Sequence, residues 1–361
     1  MRHFFVIIFF LLPVANSALA EPKPISKLEV GILTSLSDEW ASEGNNIVRG
    51  AQLAAEELNQ AGGVEGLHLA LVPEDTQEAN SGAKAVSAYR KLRLQGLSFF
   101  IGPAGTPAAM ALAPIIAKDP VIVITPLVGV REFSSTAKNI FNSRGVDEAS
   151  SRLMARYAFE QGWKRSSVLS SQQAWENAQG KAFRDEFEKL GGKVVAFQEP
   201  LPDASDLKTP VTRILAPKPD VVFMSNANRM PIAARELSNL GYRGPRLTTM
   251  LDNSMVEQAQ GTLEGAIFAD FGGPSAEFRK KFEGRFGAPP GLGANTSYDA
   301  VMALASAIRQ AHSLVPSEVL RALTTVSVPG SAGTFSFDIN RLAQRQLVKF
   351  RVLKSDFKQF S

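Results

Sequence analysis

Cysteine is absent from the 361 residues, which removes disulfides, zinc ribbons, iron–sulfur clusters and thiol nucleophiles together. Histidine is scarce. Of His3, His68 and His312, the first falls in an N-terminal apolar stretch, so a histidine-based metal site or triad is short of parts. His68 lies in a strand pattern and His312 ends a helical one, away from any recognisable nucleophile, and both read as structural or surface residues. Phosphate-binding motifs are missing as well. No Gly-x-Gly-x-x-Gly follows a strand and no Gly-x-x-x-x-Gly-Lys-Ser/Thr occurs, while Gly62-Gly63-Val64-Glu65-Gly66 sits after a helix and before a strand, the wrong context for a phosphate cradle. A Gly-x-Ser-x-Gly elbow is also lacking. The paired acids Glu56-Glu57, Glu74-Asp75 and Asp185-Glu186 fall on helix faces or loop starts and read as solvated surface. An enzyme, a metal site and a cofactor are therefore not expected. Charge of one sign is not abundant, with 39 Lys+Arg against 35 Asp+Glu, and no basic block interleaved with aromatics argues for nucleic acid.

No apolar run reaches the roughly 20 residues of a membrane-spanning helix. The longest, 4–12, follows Arg2, is interrupted at Pro13, and leads to Ala18-Leu19-Ala20, the small-x-small pattern of a cleavage site. Residues 1–20 are expected to be a secretory signal peptide, leaving a mature chain outside the cytoplasm, in the periplasm. No cysteine follows the site, so a lipoprotein anchor is not expected. The remaining residues, 45% hydrophobic and 20% charged over the whole chain, suffice for two ordinary domains.

What is present alternates. Apolar runs at 28–33, 67–72, 97–101 and 121–124 are separated by amphipathic stretches at 45–60, 81–94 and 106–117, a βαβα rhythm that predicts a parallel sheet. In 45–60, Ile47, Ala51, Ala54, Ala55 and Leu58 share one helix face, and Gly62-Gly63 supplies the stop. A second series follows, with helices expected at 148–161, 179–190, 206–215 and 231–240 and strands at 166–169, 193–197, 220–224 and 247–250. Helices at 276–286, 296–311 and 317–324 lack strands of their own, so they are expected to pack back on an existing sheet and make the domains discontinuous. A hairpin-like pair, 333–337 with 346–353, closes the chain. Ligands collect where parallel strands end and helices begin. Those loops (34–43, 74–80, 102–106, 125–131, 170–177, 225–229 and 251–254) are rich in Ser, Thr, Asn, Asp and Trp, residues that equally serve as helix caps.

These segments carry a resemblance. Val30-Gly31-Ile32-Leu33 leading to Gly50-Ala51-Gln52-Leu53-Ala54, then Leu58-Asn59-Gln60-Ala61-Gly62-Gly63-Val64-Glu65-Gly66, Ile101-Gly102-Pro103 and Ile124-Thr125-Pro126 belong to it. So do Leu190-Gly191-Gly192-Lys193-Val194-Val195, Pro219-Asp220-Val221-Val222-Phe223, Tyr298-Asp299-Ala300-Val301 and Gly333-Thr334-Phe335-Ser336-Phe337-Asp338. Over nearly the whole mature chain the sequence resembles the periplasmic solute-binding proteins of ABC importers, in the leucine/isoleucine/valine and amide class. The resemblance implies an α/β fold of two Rossmann-like lobes with parallel sheets joined by a three-strand hinge, the type I periplasmic-binding fold. It implies lobes at 21–142 with 271–335 and at 143–270 with 336–361, and crossings near 142–145, 270–272 and 335–337.

It also implies a monomeric receptor that closes on a small amino acid, amide or carboxylate and delivers it to an ABC permease. A ligand sensor of the same fold, signalling to a membrane receptor, is the alternative. By resemblance, the Thr106 hydroxyl and the backbone of Ala104 and Gly105 would receive a ligand carboxylate, helped by backbone groups at Leu127, Val128 and Gly129, where a second hydroxyl is missing. Trp175 takes the place of a wall aromatic, Asp252 that of the ammonium partner, Asn226 and Asn228 that of a further wall residue, and Trp40 lies near the cleft mouth. Two facing tryptophans would favour a planar or apolar ligand, and ordinary packing is the alternative reading of both.

Overall fold

In the computed structural model the described residues are 27–79 and 81–361; the expected signal peptide at 1–20 lies outside them. The chain opens with β1 (Lys27–Thr34), α1 (Ala41–Gln60), β2 (His68–Asp75), α2 (Ala83–Leu94), β3 (Phe99–Ile101), α3 (Thr106–Ile116), β4 (Ile122–Thr125), α4 (Arg131–Thr136) and β5 (Ile140–Asn142). The five strands form one parallel sheet in the order β2-β1-β3-β4-β5. Alternation along each strand sorts side chains to two faces. Val30, Ile32, Ile101, Ile122 and Ile124 enter one core, and Leu33, Phe100, Val123 and Ile140 enter the other. Covered on both faces, these strands read as continuous apolar runs.

The second sheet is built from β6 (Arg165–Leu169), β7 (Lys193–Gln198), β8 (Val221–Met224), β9 (Arg246–Thr248) and β10 (Ile267–Phe271). Its flanking helices are α5 (Glu148–Glu160), α6 (Ala174–Lys189), α7 (Lys208–Leu215), α8 (Met230–Asn239) and α9 (Asn253–Gln258). Helices α10 (Ala276–Phe286), α11 (Ala294–Ala311) and α12 (Pro316–Leu323) then share the core of the first sheet through Phe282, Leu304 and Val319. Gly50 lets α1 and α11 touch, since a Cβ there would lie 1.9 Å from the Ala294 carbonyl oxygen.

The end of the chain differs from expectation. Segment 333–337 does not pair with 346–353. Instead β11 (Val328–Gly330) pairs antiparallel with β12 (Gly333–Phe335), and β13 (Leu347–Leu353) lies antiparallel to β10 and to β14 (Asp356–Phe360), completing the order β14-β13-β10-β9-β8-β6-β7. The pairing changes because Phe337 stays on the first core, edge-on to Phe141 at 5.0 Å, and Ala343 packs in the same core. Passage into the second sheet therefore falls between Ala343 and Leu347, beyond the expected 335–337. Helix α6 also starts earlier than expected, at Ala174, because the Gln173 side chain accepts from the Glu176 N–H at 2.9 Å and caps it.

Arg144 ties the passages between sheets. It is buried, donates to Asp147 at 3.1 Å and to Asp270 at 2.8 Å, and lies over the Phe271 ring. Arg345 reaches back to the Ser143 carbonyl at 2.7 Å and pairs with buried Asp299. Burial raises the Asp270 carboxyl, and Arg144 opposes that rise. Arg144→Ala leaves buried Asp147 and half-buried Asp270 without their cation and is expected to cost up to about 3–5 kcal/mol of stability. Urea unfolding measures this; an unshifted midpoint would mean that water relieves the acids.

Candidate functional site

A cavity of about 170 Å³ lies where the strand ends of the two sheets face each other. That is amino-acid scale, below the roughly 300–1,000 Å³ of pockets for drug-sized ligands. The first sheet contributes Thr34, Trp40, Glu43, Ala104, Gly105, Thr106, Leu127 and Gly129, and the second Asp147, Trp175, Glu176, Asn228 and Asp252. Nine of the residues singled out from sequence line it: Trp40, Ala104, Gly105, Thr106, Leu127, Gly129, Trp175, Asn228 and Asp252. Val128 and Asn226 do not. Val128 turns into the core beside Phe133 and Ile140, its N–H donating to Thr125 Oγ1 at 3.0 Å and its carbonyl accepting from Asn142 at 2.6 Å. Asn226 is buried behind the strand end, with neither side-chain amide atom partnered.

The backbone assigned to a ligand carboxylate already has an acceptor. The N–H groups of Ala104, at 2.9 Å, and of Gly105 both donate to Glu78 Oε2, and the Thr76 hydroxyl donates to Glu78 Oε1 at 2.6 Å. Glu78 is fully buried. Its β2–α2 loop folds under the loop entering α3, a juxtaposition between segments 26 residues apart that spacing alone does not reveal.

The missing hydroxyl at Gly129 has a steric cause. A Cβ there would lie 1.8 Å from Asp147 Oδ2 and 2.5 Å from Trp175 Nε1, two atoms joined by a 2.8 Å hydrogen bond. The indole is thus anchored by its N–H, leaving its faces for packing. Trp40 comes from the first lobe, its backbone N–H donating to Asp38 at 3.0 Å and its ring against Gly105.

Asp252 is exposed and caps α9, accepting from the Met255 N–H at 2.7 Å. Sequence reasoning passed over Glu43, Asp147 and Glu176. Glu176 accepts from Ser171 and from the Asn228 N–H at 2.9 Å, and burial raises its carboxyl. The available signal was several acids in or beside the strand-end loops; no Lys, Arg or His is among the described residues lining the cavity.

Burial pushes the Glu78 carboxyl up from 4.5 to about 7, against the opposing pull of Thr76, Gly105 and Ala104. The folded state therefore holds a proton that the unfolded chain releases. Stability from this group is complete below the unfolded value and declines as pH rises through the folded one, by about 3 kcal/mol in all. Glu78→Gln keeps an acceptor for both amides and is expected to flatten that decline. Urea midpoints at pH values spanning about 5 to 8 test it; parallel profiles for the two proteins would remove Glu78 as the source.

Comparison with known proteins agrees with this architecture. The family model described as "Periplasmic binding protein" matches residues 27–356. The Leu/Ile/Val-binding protein of Escherichia coli K12 is 24% identical over 339 residues, covering 90% of this chain and 89% of that protein. A Leu/Ile/Val-binding protein of Rhizobium johnstonii is 26% identical over 230 residues, 63% of this chain, and the match spans only 62% of the relative's length. Among solved structures, a leucine binding protein from Thermotoga maritima superposes with a TM-score of 0.82 at 21% identity, covering 92% of this chain and 98% of that one. An ABC transporter solute binding protein from R. palustris in complex with benzoate gives 0.80 at 21%, covering 93% and 96%. Two lobes with parallel or mainly parallel sheets, a cavity between their strand ends and a match running from β1 through β13 identify the chain as a member of the periplasmic binding protein family, with the type I fold.

Proposed function

We propose that this chain is the extracytoplasmic solute-binding receptor of an ABC importer. It captures a small organic molecule between its lobes by hinge closure and hands it to the membrane permease. The observation that carries the reading is the cavity, walled by strand ends and helix starts of both sheets, so that a ligand touching both walls stabilises the closed arrangement over the open one. The relatives' names, Leu/Ile/Val-binding proteins and ABC transporter solute binding proteins, support the same role. In this reading the protein works as a periplasmic monomer after loss of residues 1–20, needs no cofactor and performs no covalent chemistry. The lobes hinge near 142–145, near 270–272 and between Ala343 and Leu347, around Arg144 and Arg345. Of the amino-acid, amide and carboxylate ligands that the resemblance implies, a free carboxylate has the least support, because Glu78 already holds the Ala104 and Gly105 amides.

Three outcomes are expected. A bound ligand at 100-fold its dissociation constant stabilises by about 2.7 kcal/mol, so a thermal-shift screen of amino acids, amides, amines and carboxylates should raise the melting temperature for one chemical class. The same ligand should reduce the radius of gyration in solution scattering, and dimensions indifferent to a tight ligand would count against hinge closure. Trp175→Ala should weaken that ligand by about 1–3 kcal/mol through lost ring contact. Titration calorimetry on the folded variant decides; unchanged affinity would make the indole a packing residue.

A further inference from the structure

An anion entering a cleft between parallel sheets finds one ready-made partner, the helix N-terminus, where free N–H groups and the helix dipole both favour negative charge. Several helices of eight residues or more bring that end to this cavity, and at four of them, α1, α3, α5 and α6, a carboxylate of the chain itself lies beside it; α11, entered through Leu292, carries none. Glu43 lies in the first turn of α1. Glu78 takes the two amides that lead into α3. Asp147 precedes α5, and Glu176, in the first turn of α6, also takes the Asn228 N–H. No lining residue offers a positive charge in exchange. Arg144 is engaged by Asp147 and Asp270, and Arg229, which acts on Glu176, stands outside the lining.

Unmet hydrogen-bonding capacity is of the complementary kind. Thr34 is fully buried and its Oγ1 has no partner; Glu43 Oε2 is likewise unpartnered, and both residues line the cavity. Glu43 forms no salt bridge among the described residues. Buried oxygens left in this state are costly; the Glu43 carboxylate oxygen needs a donor, while the Thr34 hydroxyl can accept or donate. Burial without a full countercharge also raises the Glu176 and Glu78 carboxyls, a rise that a nearby cation would oppose. The two tryptophans supply aromatic faces, which attract cations as well as apolar bodies.

We propose that the cavity takes an organic cation, a protonated amine without a free carboxylate, its N–H groups donating toward Glu43 and Thr34 and its body against Trp40 and Trp175. This narrows the receptor reading above and rests on it. An α-amino acid is disfavoured because its carboxylate would meet the amides already taken by Glu78 and stand near the other acids of the lining, and a benzoate-like acid is disfavoured for the same reason without any compensating ammonium.

Matched probes separate the charge states on one body. Phenethylamine, phenylalanine and 3-phenylpropanoate form one set; isoamylamine, leucine and 4-methylpentanoate form a second with an aliphatic body. Titration calorimetry with the full protein is expected to show at least one amine binding at least about tenfold more tightly than both of its carboxylate-bearing counterparts. Glu43→Gln should cost that amine about tenfold or more. Glu78→Ala, by freeing two amides and removing a charge, should raise affinity for the matching carboxylate; Glu78→Gln, which keeps the acceptor, should not. An amino acid or acid that outbinds its amine overturns the inference, and so does absence of amine binding at millimolar concentration in both sets. Scattering distinguishes the two levels. A carboxylate that compacts the protein sinks the cation inference and leaves the receptor reading standing, whereas tight binding of any probe without compaction counts against the receptor reading itself.

Discussion

A parallel sheet forces every following helix to begin at the same edge, and in this chain two such edges face each other. The site inherits that constraint. Helix starts concentrate free N–H groups and positive potential at the cavity, each first turn favouring a negative charge by about 0.3–1 kcal/mol when exposed and more when sheltered. Left empty, such a cavity would bind anions. Glu43, Glu78, Asp147 and Glu176 instead place the chain's own carboxyl groups beside those ends, and Glu78 takes the two amides leading into α3.

The same interaction couples the cavity to the hinge. Asp147 is a cavity wall, the anchor of the Trp175 indole and a partner of Arg144. Arg144 in turn reaches Asp270, at the end of the strand from which the chain returns to the first lobe. A buried ion pair adds little net stability, since desolvation offsets attraction, but it fixes geometry because breaking it is costly. Gly129 belongs to this arrangement: only a residue without Cβ leaves room for the Trp175–Asp147 bond.

Resemblance transferred positions better than chemistry. Thr106, Trp175 and Asp252 were singled out by resemblance, and the structure brings all three to one cavity with Trp40, Gly129 and Asn228. Their neighbours show chemistry that the resemblance does not carry. The amides beside Thr106 bond to Glu78, the backbone N–H of Val128 bonds to Thr125, and Asp252 caps its own helix. Sequence similarity near a quarter preserves a fold through its apolar pattern while leaving polar loop residues free to be reassigned.

Much of the architecture was legible because it rests on short-range physics. Period-2 and period-3.6 apolar patterns place Ile32, Ile101 and Leu58 in the core whatever surrounds them, and the absent motifs and cysteines exclude chemistry without reference to shape. Strand pairing near the C-terminus was not legible, because Gly333–Phe335 and Leu347–Leu353 each alternate acceptably and only competition for partners, settled by Phe337 staying against Phe141, decides which pair forms. The electrostatics of the cavity were hidden for a similar reason. Glu78 and Gly105 are neighbours only once two loops converge, and a carboxylate that looks solvated in the sequence becomes the acceptor that determines what else can bind. Local pattern set the elements; burial and long-range contact, which no spacing encodes, set the charge they enclose.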